Sequence, residues 1–170
     1  MGIDTIAHEA ALSAGGKTWA VLGGGVDVPT PESNIDLAGR IVEGGGGLIA
    51  EVPPGTPTSS HALVARDRLQ SALSRAVVIA QSGVPSGTLH TARFAIDQGR
   101  LLAVAKPPAS LAHESESAGN LALTDIHGCD PAILKASGPL ARRIAGLRPV
   151  AGLVLGSRDD LPALWERVIR

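Results

Sequence analysis

The chain has 170 residues, of which 44% are apolar and 18% charged, with 21 glycines and a net charge of −1. That length can bury the core of one domain, and the balance excludes a disordered or fibrous chain. With 2 Trp, 1 Phe and no Tyr, the composition argues against an extended aromatic platform for stacking bases. The near-neutral charge means that any polyanion surface must be a local patch. Cys129 stands alone, which leaves no internal disulfide and no zinc spacing. No apolar run is long enough to span a bilayer, and Met1-Gly2-Ile3-Asp4 lacks the regions of a signal peptide. A cytoplasmic protein with no membrane partner is the expectation.

The pattern predicts a helix from Ile3 to Ala14, stopped by Gly15-Gly16. Thr18 to Leu22 reads as a strand running into Gly23-Gly24-Gly25, a turn that side chains would obstruct. A helix is expected from Glu32 to Glu43, then Gly44 to Gly47, then a short strand, Leu48 to Glu51. Pro53-Pro54-Gly55-Thr56-Pro57 makes a rigid loop. Ser59 or Ser60 caps a helix that runs to about Leu73. Ala76 to Ala80 is a β-branched apolar run, read as a buried parallel strand. It leads through Pro85-Ser86-Gly87-Thr88-Leu89-His90-Thr91-Ala92 into a helix ending at Gln98-Gly99. Leu101 to Ala105 is the next strand, closed by Lys106-Pro107-Pro108. Ala112 to Gly128 reads as a polar loop entering a short helix. Beyond Pro131 the pattern weakens, with a strand expected within Val150 to Leu155. A last helix, Asp159 to Ile169, is expected to be capped by Asp159 or Asp160.

Strands alternating with helices predict βαβ units and a mostly parallel sheet, the α/β class of Rossmann-like three-layer folds. Ligands of such sheets sit beyond the carboxyl ends of the strands, where the Gly23 turn, the Glu51 loop and the Ser86 segment are expected. A helix start offers unpaired N–H groups and the positive end of its dipole. Ser86, Thr88 and Thr91 add hydroxyls there, and Gly87 admits a ligand to the backbone, so anionic oxygen is the natural guest. On the preceding helix, Arg66 and Arg68 diverge by about half a turn. One can face the sheet edge while the other pairs with a carboxylate, and a guanidinium fork suits phosphate. The glycines at Gly23 to Gly25 match neither a dinucleotide fingerprint nor a P-loop. His8, His61, His90, His113 and His127 have no metal spacing. No nucleophile elbow is present, and Glu114 and Glu116 do not make a catalytic pair. No catalytic residue, metal or cofactor is expected.

Several blocks together resemble the Rossmann-like core of the DNA-processing protein A (DprA/Smf) family. They are Gly2-Ile3-Asp4 with His8 and Ala11-Leu12, Ala20 to Asp27, Pro31-Glu32-Ser33-Asn34, and Glu51 with Pro53 to Pro57. Arg66-Asp67-Arg68 with Leu73-Ser74 follows, and then Ser86 to Ala92 with Gln98-Gly99-Arg100. Order and spacing follow the family to about Gly128. The resemblance implies a DprA-like core over 1–128 and a C-terminal extension over 129–170 packed on it. It implies no catalysis, but single-stranded DNA held through phosphates and handed to the RecA recombinase during natural transformation. The DNA- or phosphate-binding residues it implies are Arg66, Arg68, Ser86, Gly87, Thr88 and Thr91, with Gly23 and Gly24 at the neighbouring turn. Backbone contacts of this kind position a strand without reading its sequence.

The sequence also departs from the family. The resemblance implies an opening strand-helix-strand and an arginine ahead of Gly2-Ile3-Asp4, which this sequence lacks. Asp67 stands where the family commonly has Asn, and His61 to Val64 replaces a more aromatic and basic run. Without the first strands, the Thr18 strand would be an apolar sheet edge. The expectation is that a homodimer partner or the tail strand near Val150 to Leu155 covers it; the alternative is a start codon assigned late. A competing reading is a nucleotide-binding or phosphoribohydrolase protein of the lysine-decarboxylase-like (LOG) type, which shares a Gly-rich turn and helix-start phosphate site. The glutamate its motif uses to cleave the glycosidic bond is absent after Pro85-Ser86-Gly87-Thr88. A third is an α/β domain whose role is assembly.

Overall fold

The computed structural model describes residues 2–84, 86–124 and 152–169. The expected domain boundary at 128/129, Cys129 and His127 lie outside them. The chain divides into two compact units, Met1–Leu69 and Gln70–Arg170.

In the first unit, helix α1 (Ile3–Ser13) precedes strand β1 (Trp19–Val21). A short 3-10 turn, Glu32–Asn34, then leads into α2 (Ile35–Glu43) and β2 (Gly47–Ile49). β1 and β2 pair in parallel, with Ala20 opposite Leu48. α2 packs against both strands and α1, burying Leu37, Ala38 and Ile41. Those positions share one helical face, so a single amphipathic stripe supplies the centre of the unit. Polar ties fix α1: Asn34 Nδ2 donates to Thr5 Oγ1 at 2.9 Å, and His8 Nδ1 meets Thr18 Oγ1 at 2.7 Å. At Gly46 a Cβ would lie 1.9 Å from Thr18 O, so only glycine lets the chain enter β2 this close to β1. Helix α3 (Ser60–Ala72) follows; of the two expected caps it uses Ser59, whose Oγ accepts from Ala62 N at 3.1 Å.

The second unit is built on a three-stranded parallel sheet in the order β3 (Ala76–Ile79), β4 (Leu101–Ala105), β5 (Leu153–Leu155). β3 alternates, with Val77 and Ile79 buried and Val78 exposed, whereas the central strand β4 buries Leu102, Ala103 and Val104 in succession. α4 (Thr88–Asp97) packs on β3 and β4. Its Leu89 fills the core, while Ala92 and Ala95 are small enough for close approach. Gly99, at φ 66, ends the helix as the sequence predicts. A 3-10 turn, Ser115–Ser117, opens α5 (Ala118–Thr124), which packs against β4 and contributes Leu123 to the core. Full burial of a leucine such as Leu89 or Leu102 contributes about 1.5–3 kcal/mol.

Every described strand pair is parallel and helices intervene, as the Rossmann-like α/β reading requires. Two details differ from expectation. The tail strand does not cover the β1 edge: β5 pairs with β4, with Val104 opposite Val154, because its apolar residues extend a sheet already built around β4. The last helix, α6 (Leu161–Ile169), follows a 3-10 turn whose capping box includes the expected Asp160 but starts at Ser157. Ser157 caps the 3-10 turn Arg158–Asp160 before it, accepting from Asp159 N, and the Asp160 carboxylate accepts from Ser157 N at 2.9 Å. A Ser-x-x-Asp capping box starts the turn earlier than apolar periodicity suggests.

Candidate nucleic-acid interface

The first unit holds Gly23, Gly24, Arg66 and Arg68. The glycine turn leaves β1 and is buried. A Cβ on Gly23 would lie 2.9 Å from Leu63 Cδ2, and one on Gly24 would lie 2.6 Å from Thr58 Oγ1. One on Gly25 would meet Gly55 N and Pro53 O, both at 2.9 Å. The turn is therefore filled by α3 and the 53–58 loop, which Asp27 steadies by accepting from Gly55 N at 2.7 Å. Glycine is required here for packing inside the unit.

α3 also presents the two arginines. Arg68 Nη2 donates to Glu51 Oε1 just past the end of β2, an exposed pair. Arg66 is more enclosed, its side chain 20% exposed, with Nε 3.5 Å from Asp67 Oδ1. That Nε is buried without a hydrogen-bond acceptor among the described residues. The expectation of one outward and one paired arginine thus resolves differently, since each guanidinium has a carboxylate beside it. Arg66 still holds a donor that an additional oxygen would satisfy.

The second unit holds Ser86, Gly87, Thr88 and Thr91. They follow β3 in the chain and open α4. Gly87 is exposed, and a Cβ there would meet nothing within 4 Å. The helix-start amides are less open than expected. Thr88 N donates to Ser86 Oγ at 3.2 Å, Leu89 N to Ser86 O at 3.2 Å and His90 N to Gly87 O at 2.9 Å. The first turn closes on itself with i→i+3 bonds and a serine side chain, which is how helix starts satisfy orphan donors in the absence of a guest. The longest of these bonds are the easiest to exchange for an anionic oxygen.

One buried polar tie at this end of the unit is not legible from sequence. Asn120, fully buried in α5, accepts from Ser82 N at 2.7 Å through Oδ1. Its Nδ2 donates to Ala80 O at 3.0 Å and Ala105 O at 2.8 Å. It lies in the run that reads as a polar loop entering a short helix, and nothing in that run marks its partners 40 and 15 residues away. No group of three or more metal-ligating side chains occurs among the described residues, and none of their helices is long and apolar enough to cross a membrane.

Parallel strands with intervening helices define a Rossmann-like α/β protein. The comparisons with known proteins narrow the class. The description of DNA recombination-mediator protein A matches residues 1–128. The chain belongs to that family. A Mycobacterium tuberculosis protein described as a DNA processing protein, DprA, is 42% identical over 118 residues, which is 69% of this chain and 29% of that protein. Escherichia coli Smf is 40% identical over 99 residues, 58% of this chain and 26% of that protein. Among solved structures, DNA processing protein A from Streptococcus pneumoniae aligns with a TM-score of 0.64 and 28% identity, covering 95% of this chain and 47% of that one. The Helicobacter pylori protein, whose structure is described for its single-stranded DNA binding mode, aligns at a TM-score of 0.63 and 25% identity, covering 86% and 61%. The chain therefore spans under a third of the length of these two curated relatives.

Proposed function

We propose that this chain binds single-stranded DNA through its sugar-phosphate backbone, without catalysis, and assists loading of the RecA recombinase in DNA uptake and recombination. The observation that carries the reading is the exposed Gly87 at the helix start, beyond the exit of a parallel strand, where a serine hydroxyl holds a helix amide that a phosphate oxygen would take. Family membership over residues 1–128 and the single-stranded DNA binding of the Helicobacter pylori relative support the same reading. Arg66 and Arg68 are the proposed cationic donors of the first unit and, each unit taken by itself, Thr88 and Thr91 the proposed hydroxyl donors of the second. Gly23 and Gly24 shape the turn beneath the Arg-bearing helix. The protein acts as a homodimer in the cytoplasm, with residues 129–170 as an extension of the core.

The test is fluorescence anisotropy with labelled oligo-dT and oligonucleotides of mixed sequence, beginning at about 50 mM salt. Binding should weaken linearly with log salt. Arg66→Ala and Arg68→Ala should each weaken it by similar factors on all sequences and reduce the salt slope by about one. No affinity for oligo-dT at low salt overturns the reading, and release of adenine from AMP would assign the chain to phosphoribohydrolase chemistry instead.

A further inference from the structure

We propose that Asn120 is a positioning residue for the Ser86-Gly87-Thr88 turn, an inference that rests on the phosphate-binding reading above. The β3–β4 ladder ends at Ile79 opposite Val104, and beyond it the two strands have no ladder pairing to hold them in register. Asn120 replaces that pairing. One buried side chain ties Ala80 O and Ala105 O together and at the same time fixes Ser82 N. Its oxygen and both of its N–H donors are engaged in fixed directions, so it sets the geometry of the exit as well as filling space.

Gly119 completes the hold from the same helix. Its N–H donates to Ser82 O at 2.8 Å, and a Cβ on it would lie 2.7 Å from Ser82 O and 2.8 Å from Gly83 O. Ser82 is thus bonded at both its N–H and its carbonyl, and its neighbour is boxed in. Val84 then packs against the same core cluster as Leu89 of α4. Ser86, Gly87 and Thr88 lie between Val84 and Leu89, so the placement of Ser82 and Gly83 bears on where their donors point. Asn120 touches no ligand itself and acts through the turn it launches.

Two variants of the full chain displace the Ser82 anchor by independent means. Asn120→Ser removes the bridging amide, and Gly119→Ala keeps Asn120 while pressing on the Ser82 and Gly83 carbonyls. Each should weaken oligo-dT binding on the order of tenfold and shift the backbone amide resonances of Gly87 and Thr88. On a Ser86→Ala/Thr88→Ala background, which removes the hydroxyls of the turn and keeps its amides, Asn120→Ser should cost a smaller factor than on the parent, because part of what it positions is gone. A merely structural asparagine would lower the melting temperature and cost the same factor on both backgrounds, which overturns the proposal. Should Asn120→Ser not fold, the same comparison is made with Gly119→Ala. If the parent chain does not bind oligo-dT, the phosphate-binding reading fails on its own account. The Gly87 and Thr88 amides then decide the positioning role, and unshifted resonances overturn it.

Discussion

Each unit sends a parallel strand into a glycine-bearing segment, yet the two segments are built in opposite ways. At Gly23-Gly24-Gly25 the space a side chain would need is already occupied by Leu63, Thr58 and the 53–58 loop. At Gly87 that space is empty. The same residue type after a strand means internal packing in one unit and an accessible backbone in the other. Glycine following a parallel strand is thus only half of an anion site; the other half is what the rest of the fold leaves beside it.

The strongest way to break this contrast is to add one methyl group at each place. Gly25→Ala should destabilise the chain by about 1–3 kcal/mol, since backbone atoms of Pro53 and Gly55 stand in the way. Gly87→Ala should change stability by no more than about 0.5 kcal/mol while weakening oligo-dT binding, because its φ of −56 and ψ of −36 suit alanine. Urea midpoints for both variants measure the difference, and equal losses would erase the contrast.

A smaller effect is expected at the arginine pair. Glu51 competes with phosphate for Arg68, so Glu51→Gln should tighten oligo-dT binding about threefold, with little change in stability for an exposed pair. A variant that binds no better would remove Arg68 from the interface. The smallest effect concerns acid. Burial lowers the His8 pKa below 6.5, and Asp4 only partly opposes the shift. The unfolded chain takes up that proton more readily than the folded one. The contribution of His8 is therefore complete above pH 6.5 and is lost as pH falls through the lowered folded value. Urea midpoints measured between about pH 5 and 8 should fall less on the acid side for His8→Gln than for the parent.

Much of the fold is legible because its signals are periodic. The Leu37, Ala38 and Ile41 stripe of α2, the alternation of Val77 and Ile79, and the Gly99 stop all appear where the pattern puts them. The candidate binding residues are legible by type and position, but their partners are not. Nothing local says that Arg68 meets Glu51, that Arg66 sits beside Asp67 with Nε lacking an acceptor among the described residues, or that Ser86 closes the helix start. Asn120 shows the limit most clearly, since its value comes from chain segments that only folding brings to it.

That dependence bears on synthesis. Ala80, Ser82 and Ala105 all leave the ribosome before Asn120 does, so the nascent β3–β4 pair carries buried-to-be polar groups with no mate until α5 is made. A polypeptide arrested short of that helix would leave its strand exits splayed.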